Sequence, residues 1–291
     1  STRSDARTGV RAAPSVRRKA RELGVDLASV VGSGPGGRVL MNDLKQPATT
    51  SQQTVAPGTR IKLKGLRRRI AEHMVHSKQT IPHYSYIDEC NVTELVRLRE
   101  SLKPTFAESG LKLTYLPFIV KATVAALREF PIVNASLDDE AEEIVLHDRY
   151  NLGIAVATAD GLIVPVIHDA DQKDLAHIVR EIDRLSSEAR ERKSKLEDLS
   201  GGTFTITSTG GIGGLISTPV INHPEAAILG VGKVIRRPIY DAEGEIQPAD
   251  LMYLSFSFDH RVLDGAVGAQ FASSIIRHLE NPEPLLLPET L

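Results

Sequence analysis

A chain of 291 residues, 41% hydrophobic and 25% charged, has room for one sizeable globular domain and a small one. The formal net charge of −2 hides an asymmetry, because residues 1–46 carry nine Lys/Arg against four Asp/Glu (+5) while the remainder is −7. No apolar run reaches membrane length, the best stretch (116–127) being short and broken by Lys121, and one cysteine, Cys90, excludes an internal disulfide framework.

The basic head calls for an acidic partner. Nucleic acid is not expected, since residues 1–46 hold no aromatic side chain to stack on bases. Pro14-Ser15 opens a helix with the body VRRKAREL, and Gly24 closes it. The loop GSGPGG at 32–37 leads into a second short helical stretch, VLMNDLKQ. Gly32, Gly34 and Gly37 satisfy G-x-G-x-x-G, but a dinucleotide site needs a strand before, a helix after and a surrounding βαβ unit. That unit does not fit between Val25 and the next segment, so a tight turn joining two short helices is the plainer reading. The head is expected to be a small all-α domain over residues 10–46.

Residues 47–59, PATTSQQTVAPGT, are uncharged and read as a linker. The main domain is expected over 60–291. Helical periodicity appears in GLRRRIAEHMVHSKQT, TELVRLRESLKPTFAESG, LPFIVKATVAALREF, LAHIVREIDRLSSEARERK and GAVGAQFASSIIRHLE. Strand-like runs are HYSYIDECNV, EIVLHDRYNLGIAVAT, GLIVPVI, GTFTITST, AAILGVGKVI and MYLSFSFD. The irregular alternation predicts an α/β (α+β, two-layer) domain, a mixed sheet covered by helices on one side. Cys90 reads as a buried small apolar residue in a reducing compartment. The tail PEPLLL, residues 282–287, would be a liability if exposed, so it docks either on its own subunit or on a neighbour. The chain opens on Ser1 without a signal-like apolar segment and reads as a processed fragment.

No metal site is expected: CxxC and HExxH are absent, and His73 and His76 lack an accompanying carboxylate or thiolate set. They read as part of a solvated helix face. No G-x-S-x-G elbow occurs, which argues against an acyl-enzyme serine. In GGTFTITSTGGIGGL, residues 201–215, a β-branched strand runs into hydroxyls and glycines. Thr207 or Ser208 at the strand end can donate to a developing oxyanion; alternatively this is a polar strand edge entering a loop. In SFSFDHRVLDGAVGAQF, residues 255–271, His260 sits at a strand end and Asp264 at a helix start. An imidazole takes and returns a proton near neutrality, and thiols need such a base before attacking a carbonyl. A structural histidine is the alternative, and the flanking residues favour the base.

The head RAAPSVRRKARELGVDLASVVGSGPGGRVLMNDL resembles the peripheral subunit-binding domain of 2-oxo acid dehydrogenase complexes. The main domain resembles the catalytic domain of their dihydrolipoyl acyltransferase components, relatives of chloramphenicol acetyltransferase. The stretches that carry the resemblance are IPHYSYIDECNVTELVRLRE, ADGLIVPVI, GGTFTITSTGGIGG, INHPEAAILGVGKV and SFDHRVLDG. It implies that the HxxxDG motif falls on His260, Asp264 and Gly265. His260 would deprotonate coenzyme A, whose thiolate attacks S-acyl-dihydrolipoamide directly. Asp264 would hold the local structure, partly through an arginine, Arg99 or Arg97. The oxyanion hydroxyl, usually Ser in the family, falls on Thr207, with Ser208 as the alternative.

The same resemblance implies that Arg17 and Arg38, helped by Arg18 and Arg21, bind acidic surface on the decarboxylase or dihydrolipoamide dehydrogenase component. The lipoyl group would sit on a domain not present in this chain. Homotrimers with His260 and Thr207 from different chains would assemble into a 24- or 60-subunit core, with PEPLLL as an apolar anchor between trimers. TELVRLRESLKP and EFPIVNASL resemble the branched-chain type, leaving acetyl transfer, or a non-catalytic scaffold, as alternatives. Such a protein is cytoplasmic in a bacterium and in the mitochondrial matrix in a eukaryote, with no membrane or metal involvement.

Overall fold

A computed structural model of the protein describes residues 11–22, 27, 30, 32–41, 43–45, 58, 60, 62–208 and 213–286. The chain divides into two compact units, Ser1–Lys62 and Leu63–Leu291.

In the first unit, α1 (Pro14–Glu22) begins on a proline, which suits a first helical turn whose N–H has no partner. Its Val16 and Ala20 pack on Val39 and Leu44 to make a very small core. The glycine loop is a backbone-closed turn, with Gly34 N–H bonded to the Arg38 carbonyl at 2.9 Å and Gly37 N–H to the Gly34 carbonyl at 3.0 Å. A Cβ on Gly32 would lie 2.5 Å from the Arg38 carbonyl carbon, so that glycine is there for close backbone approach. The helix expected over VLMNDLKQ is replaced by a 3-10 turn, Asp43–Lys45. The cause is local: Val39 is tied to Arg11, its N–H donating to the Arg11 carbonyl at 2.8 Å. The Asp43 carboxylate, in turn, accepts from Leu40 N–H at 2.8 Å, Ser33 N–H at 3.0 Å and the Ser33 hydroxyl at 2.6 Å. These bonds hold the Asp43 carboxyl below its usual range. Gly24 and most of the linker lie outside the described residues.

The second unit is built on a mixed sheet in the order β1-β11-β9-β8-β4-β7, with β10 pairing β11. Its strands are β1 (His83–Asn91), β4 (Leu152–Ile154), β7 (Val166–Ile167), β8 (Phe204–Ser208), β9 (Ala227–Val231), β10 (Ile235–Tyr240) and β11 (Ile246–Asp259). The β8–β9 and β4–β8 pairs are parallel and the others antiparallel. Two small hairpins stand apart, β2 (Ala135–Asp138) with β3 (Glu143–Leu146) and β5 (Val156–Thr158) with β6 (Gly161–Ile163). The helices are α2 (Gly65–Thr80), α3 (Thr93–Glu108), α4 (Leu116–Glu129), α5 (Leu175–Arg190) and α6 (Gly265–Glu280). All five expected helices form. The run EIVLHDRYNLGIAVAT breaks into β3, β4 and β5, and β11 starts six residues earlier than MYLSFSFD suggested.

Alternation along β8, β9 and β11 sends Phe204, Ile206, Leu229, Leu254, Phe256 and Phe258 into one apolar core with residues of α3 to α6. The other face carries Thr205, Ser255, Ser257 and Asp259, each 1% exposed. A coil segment over 213–225 covers it. A Cβ on Gly230 would meet the Ser217 hydroxyl at 2.6 Å, and one on Gly232 the Leu215 carbonyl at 2.2 Å. Those glycines let the coil cross. Ile221, Ile228 and Ile81 close the layer. In the tail, Leu285 docks on its own subunit's core and Leu286 is exposed, while Leu287 lies outside the described residues. No described helix is long and apolar enough to cross a membrane.

Candidate active site

β11 delivers His260. The strand is held on both sides, Phe258 pairing with Tyr84 of β1 and Ala227 of β9, so its end is fixed in space. His260 follows as an exposed residue in a turn, its N–H donating to the Pro82 carbonyl at 3.1 Å and its ring 4.8 Å from that of Tyr84. Asp264 closes the turn as the N-cap of α6, its carboxylate accepting from Val267 N–H at 2.9 Å. The Tyr84 hydroxyl donates to the Asp264 carbonyl at 2.6 Å, which ties β1 to the start of the helix. Burial, aided by the Asp264 charge, pushes the Tyr84 phenol up to about 12, so it remains a donor.

The sequence reading missed Tyr84 and its partner Gly268. A Cβ on Gly268 would sit 2.4 Å from the Tyr84 hydroxyl, so only glycine lets the tyrosine cross the first turn of α6. A glycine inside an apolar helical pattern was the available signal. Gly265, by contrast, is exposed and a Cβ there would meet nothing within 4 Å.

The turn is flanked by an ion pair between buried Asp259 and exposed Arg261. The Asp259 carboxylate accepts from Arg261 N–H at 2.9 Å, Nε at 3.0 Å and Nη2 at 2.7 Å. Arg261 Nη1 donates to Asp139 at 2.6 Å, and the second Asp139 oxygen lies 3.0 Å from His223 Nε2. His223 and then Arg261 hold the Asp139 carboxyl below its usual range. Within this protomer the arginines expected beside Asp264, Arg99 and Arg97, have other partners. Arg99 bonds the Leu113 carbonyl at 3.0 Å and lies over Tyr115, and Arg97 pairs with Glu94. Both belong to α3, and the side chain of Asp264 is occupied with its own helix.

Thr207 stands in β8 opposite Gly230, half-buried, on the face that carries Thr205. Ser208 is exposed and shares the face of Phe204 and Ile206, so the two candidate hydroxyls point to opposite sides of the sheet. Gly230 pairs in turn with Ser255, which places Thr207 level with Ser255, five residues before His260 on the same strand. At ~3.3 Å per residue and ~4.8 Å per strand spacing, Thr207 and His260 are on the order of 20 Å apart. One protomer therefore does not bring them together.

His73, His76, His83 and Cys90 have partners within this protomer. His73 Nε2 lies 3.1 Å from Asn222 Oδ1, and His76 packs edge-on against His223 at 4.6 Å. Neither joins a metal-binding group among the described residues. His83 bonds the Ile81 carbonyl through Nδ1 and accepts Ile221 N–H at Nε2, and burial lowers its pKa. Cys90 is fully buried, which pushes its thiol up and leaves it unreactive. In the head, Arg17, Arg18 and Arg38 are exposed, whereas the side chain of Arg21 lies outside the description.

Residues 56–287 match the family described as 2-oxoacid dehydrogenases acyltransferase (catalytic domain), and residues 10–45 match the e3 binding domain. The chain is 42% identical to the dihydrolipoyllysine-residue acetyltransferase component of the pyruvate dehydrogenase complex of Bacillus subtilis, over 95% of this chain and 68% of that protein. It is 43% identical to the lipoamide acyltransferase component of the branched-chain alpha-keto acid dehydrogenase complex of Pseudomonas aeruginosa, over 95% of this chain and 67% of that protein. Among solved structures, the cubic core of the pyruvate dehydrogenase multienzyme complex superposes with a TM-score of 0.76 at 36% identity, covering 79% of this chain and 94% of that one. The histidine turn, the hydroxyl-bearing strand and the small basic head thus sit in a chain that is an acyltransferase and belongs to the 2-oxoacid dehydrogenase acyltransferase family.

Proposed function

We propose that the protein transfers an acyl group from S-acyl-dihydrolipoamide to coenzyme A in a site made by two protomers. His260 takes the proton from the coenzyme A thiol, and the thiolate adds to the thioester carbonyl. The Thr207 hydroxyl of a neighbouring copy donates to the resulting oxyanion. Collapse breaks the bond to the dihydrolipoamide sulfur, which recovers the proton from His260. Asp264 keeps the turn in place. The observation that carries this reading is the separation of an exposed His260 from Thr207 within one chain.

The acyl group is branched-chain on the strength of TELVRLRESLKP and EFPIVNASL. Acetyl is the second reading, favoured by the Bacillus relative. The head docks the dihydrolipoamide dehydrogenase or decarboxylase component through Arg17, Arg18, Arg21 and Arg38, since arginine pairs carboxylates bidentately. Trimers assemble into a larger core, as in the cubic core to which the chain is similar.

Mixing of variants tests the shared site. His260→Ala is expected to lower kcat by about 10²–10⁴-fold, and Thr207→Val by about 10²–10³-fold. Co-assembled at equal amounts in a cyclic trimer, the two should restore roughly a quarter of wild-type activity, because each site needs one intact residue from each of two chains. Absence of complementation would place both groups in one protomer. Comparing acetyl, isobutyryl and isovaleryl donors at equal concentration decides the acyl group.

A further inference from the structure

His260 poses a mechanical problem. It is exposed and follows the last strand residue; among the described residues its N–H bonds the Pro82 carbonyl and its ring lies tilted against that of Tyr84. A general base that must meet a thiol within hydrogen-bond reach cannot tolerate a turn that wanders, since a displacement of about 1 Å can cost about 10²-fold in rate. The residues on either side of it supply the stiffness. Asp259 is 1% exposed and receives the N–H, Nε and Nη2 of Arg261, while Val262 and Leu263 N–H both bond to the Asp259 carbonyl. The fork of Arg261 thus closes a ring that contains the His260 backbone. Its remaining Nη1 reaches Asp139 in the β2–β3 turn, and Asp139 is held from the far side by His223.

We propose that Arg261 is a positioning residue for His260, a guanidinium clamp between buried Asp259 and Asp139 that fixes the catalytic turn without touching substrate. The inference rests on the reading of His260 as the base. The clamp is not what holds the fold together at this point. β11 is already paired on both sides through Phe258, and α6 is capped by Asp264. Removing the fork leaves the backbone bonds of the turn, the strand pairing and the helix cap in place, but it loosens the side-chain tie across His260 and leaves the buried Asp259 carboxylate without its guanidinium, so some loss of stability accompanies the loss of kcat. A lysine keeps one bond to Asp259 but cannot span both carboxylates in a planar fork.

The test is steady-state kinetics on the full chain with coenzyme A and a soluble S-acyl-dihydrolipoamide, with assembly followed by sedimentation. Arg261→Gln should lower kcat about 10–100-fold with the coenzyme A KM within about twofold and the assembly intact. Arg261→Lys should fall between Gln and wild type, and Asp139→Ala, which removes only the outer arm, should cost less than Lys. A Gln variant with wild-type kcat, or a KM that rises while kcat holds, overturns the proposal. If Arg261→Gln does not assemble, the same split is read on Arg261→Lys, and wild-type kcat there overturns it equally. His260→Ala run alongside separates the two claims. If it retains full activity, the base assignment itself fails; if it is inactive while Arg261 variants are normal, only the clamp fails.

Discussion

The two faces of the central sheet are built on different physics. One face sends Phe204, Phe256 and Phe258 against Phe271 of α6, with ring centroids 5.8, 6.0 and 6.2 Å from it. The other is equally dry, yet it is lined with Thr205, Ser255, Ser257, Asp259 and Glu225, all at most 2% exposed. The apolar face gains from burial of area, which is non-directional and tolerant of detail. The polar face gains only where each donor and acceptor finds a partner, and an unmatched group there is costly. Those partners come from elsewhere in the chain: Ser217 N–H for Ser255, Arg261 for Asp259, Asn222 for Glu225. Both candidate catalytic groups are carried by strands with this composition, His260 just past the end of β11 and Thr207 on the polar face of β8.

The largest effect should come from the apolar side. Phe271→Ala removes a fully buried ring at the centre of the aromatic cluster and is expected to cost about 3–5 kcal/mol in urea unfolding. A loss under 1 kcal/mol would mean that the polar face, with its clamps, supplies most of the cohesion, and the contrast drawn above would have to be reversed.

The second test addresses the polar face through its buried acid, Glu225. Glu225 is fully enclosed, its Oε1 accepts from Asn222 at 2.7 Å, and the Thr205 side chain also bonds its carboxylate. Burial pushes its pKa from 4.5 to about 7. With the folded pKa above the unfolded one, the folded state binds more protons between these values. The contribution of Glu225 to stability is therefore whole below about pH 4.5, falls as pH rises towards 7, and stays reduced above it. Glu225→Gln cannot ionise and keeps the acceptor for Asn222. It should match wild type at pH 4 and exceed it by about 3 kcal/mol at pH 8, by urea midpoints. A difference that does not vary with pH would show that Glu225 is not a buried acid of this kind.

This contrast also explains what the sequence could disclose. Leu254, Phe256 and Phe258 announce a core face by their period of two, and five helices follow from theirs. The same alternation marks Ser255, Ser257 and Asp259 as outward and solvated, which is wrong, because the coil over 213–225 covers them. Its Gly, Ser, Thr and Pro composition says loop and carries no sign of what the loop lies upon. The positions of His260 at a strand end and Asp264 at a helix cap were legible, since both depend on local chain geometry. The bond of Arg261 to Asp259 was not, because nothing in the sequence says that Asp259 is buried and in need of a cation. The head shows the same limit at small scale, a helix written in VLMNDLKQ and undone by three bonds to Asp43.

The smallest effect distinguishes a cap from a charge where the two faces meet, at the start of α6. Asp264 accepts Val267 N–H at 2.9 Å, and its carbonyl receives Tyr84. Asp264→Ala removes the side-chain acceptor and leaves the carbonyl, so it should cost about 1 kcal/mol. Asparagine caps as well as aspartate, so Asp264→Asn should stay within about 0.3 kcal/mol of wild type. If Asn destabilised as much as Ala, the negative charge at the helix N-terminus would be the stabilising element, and the turn that carries His260 would be held by the helix dipole instead of by a hydrogen bond.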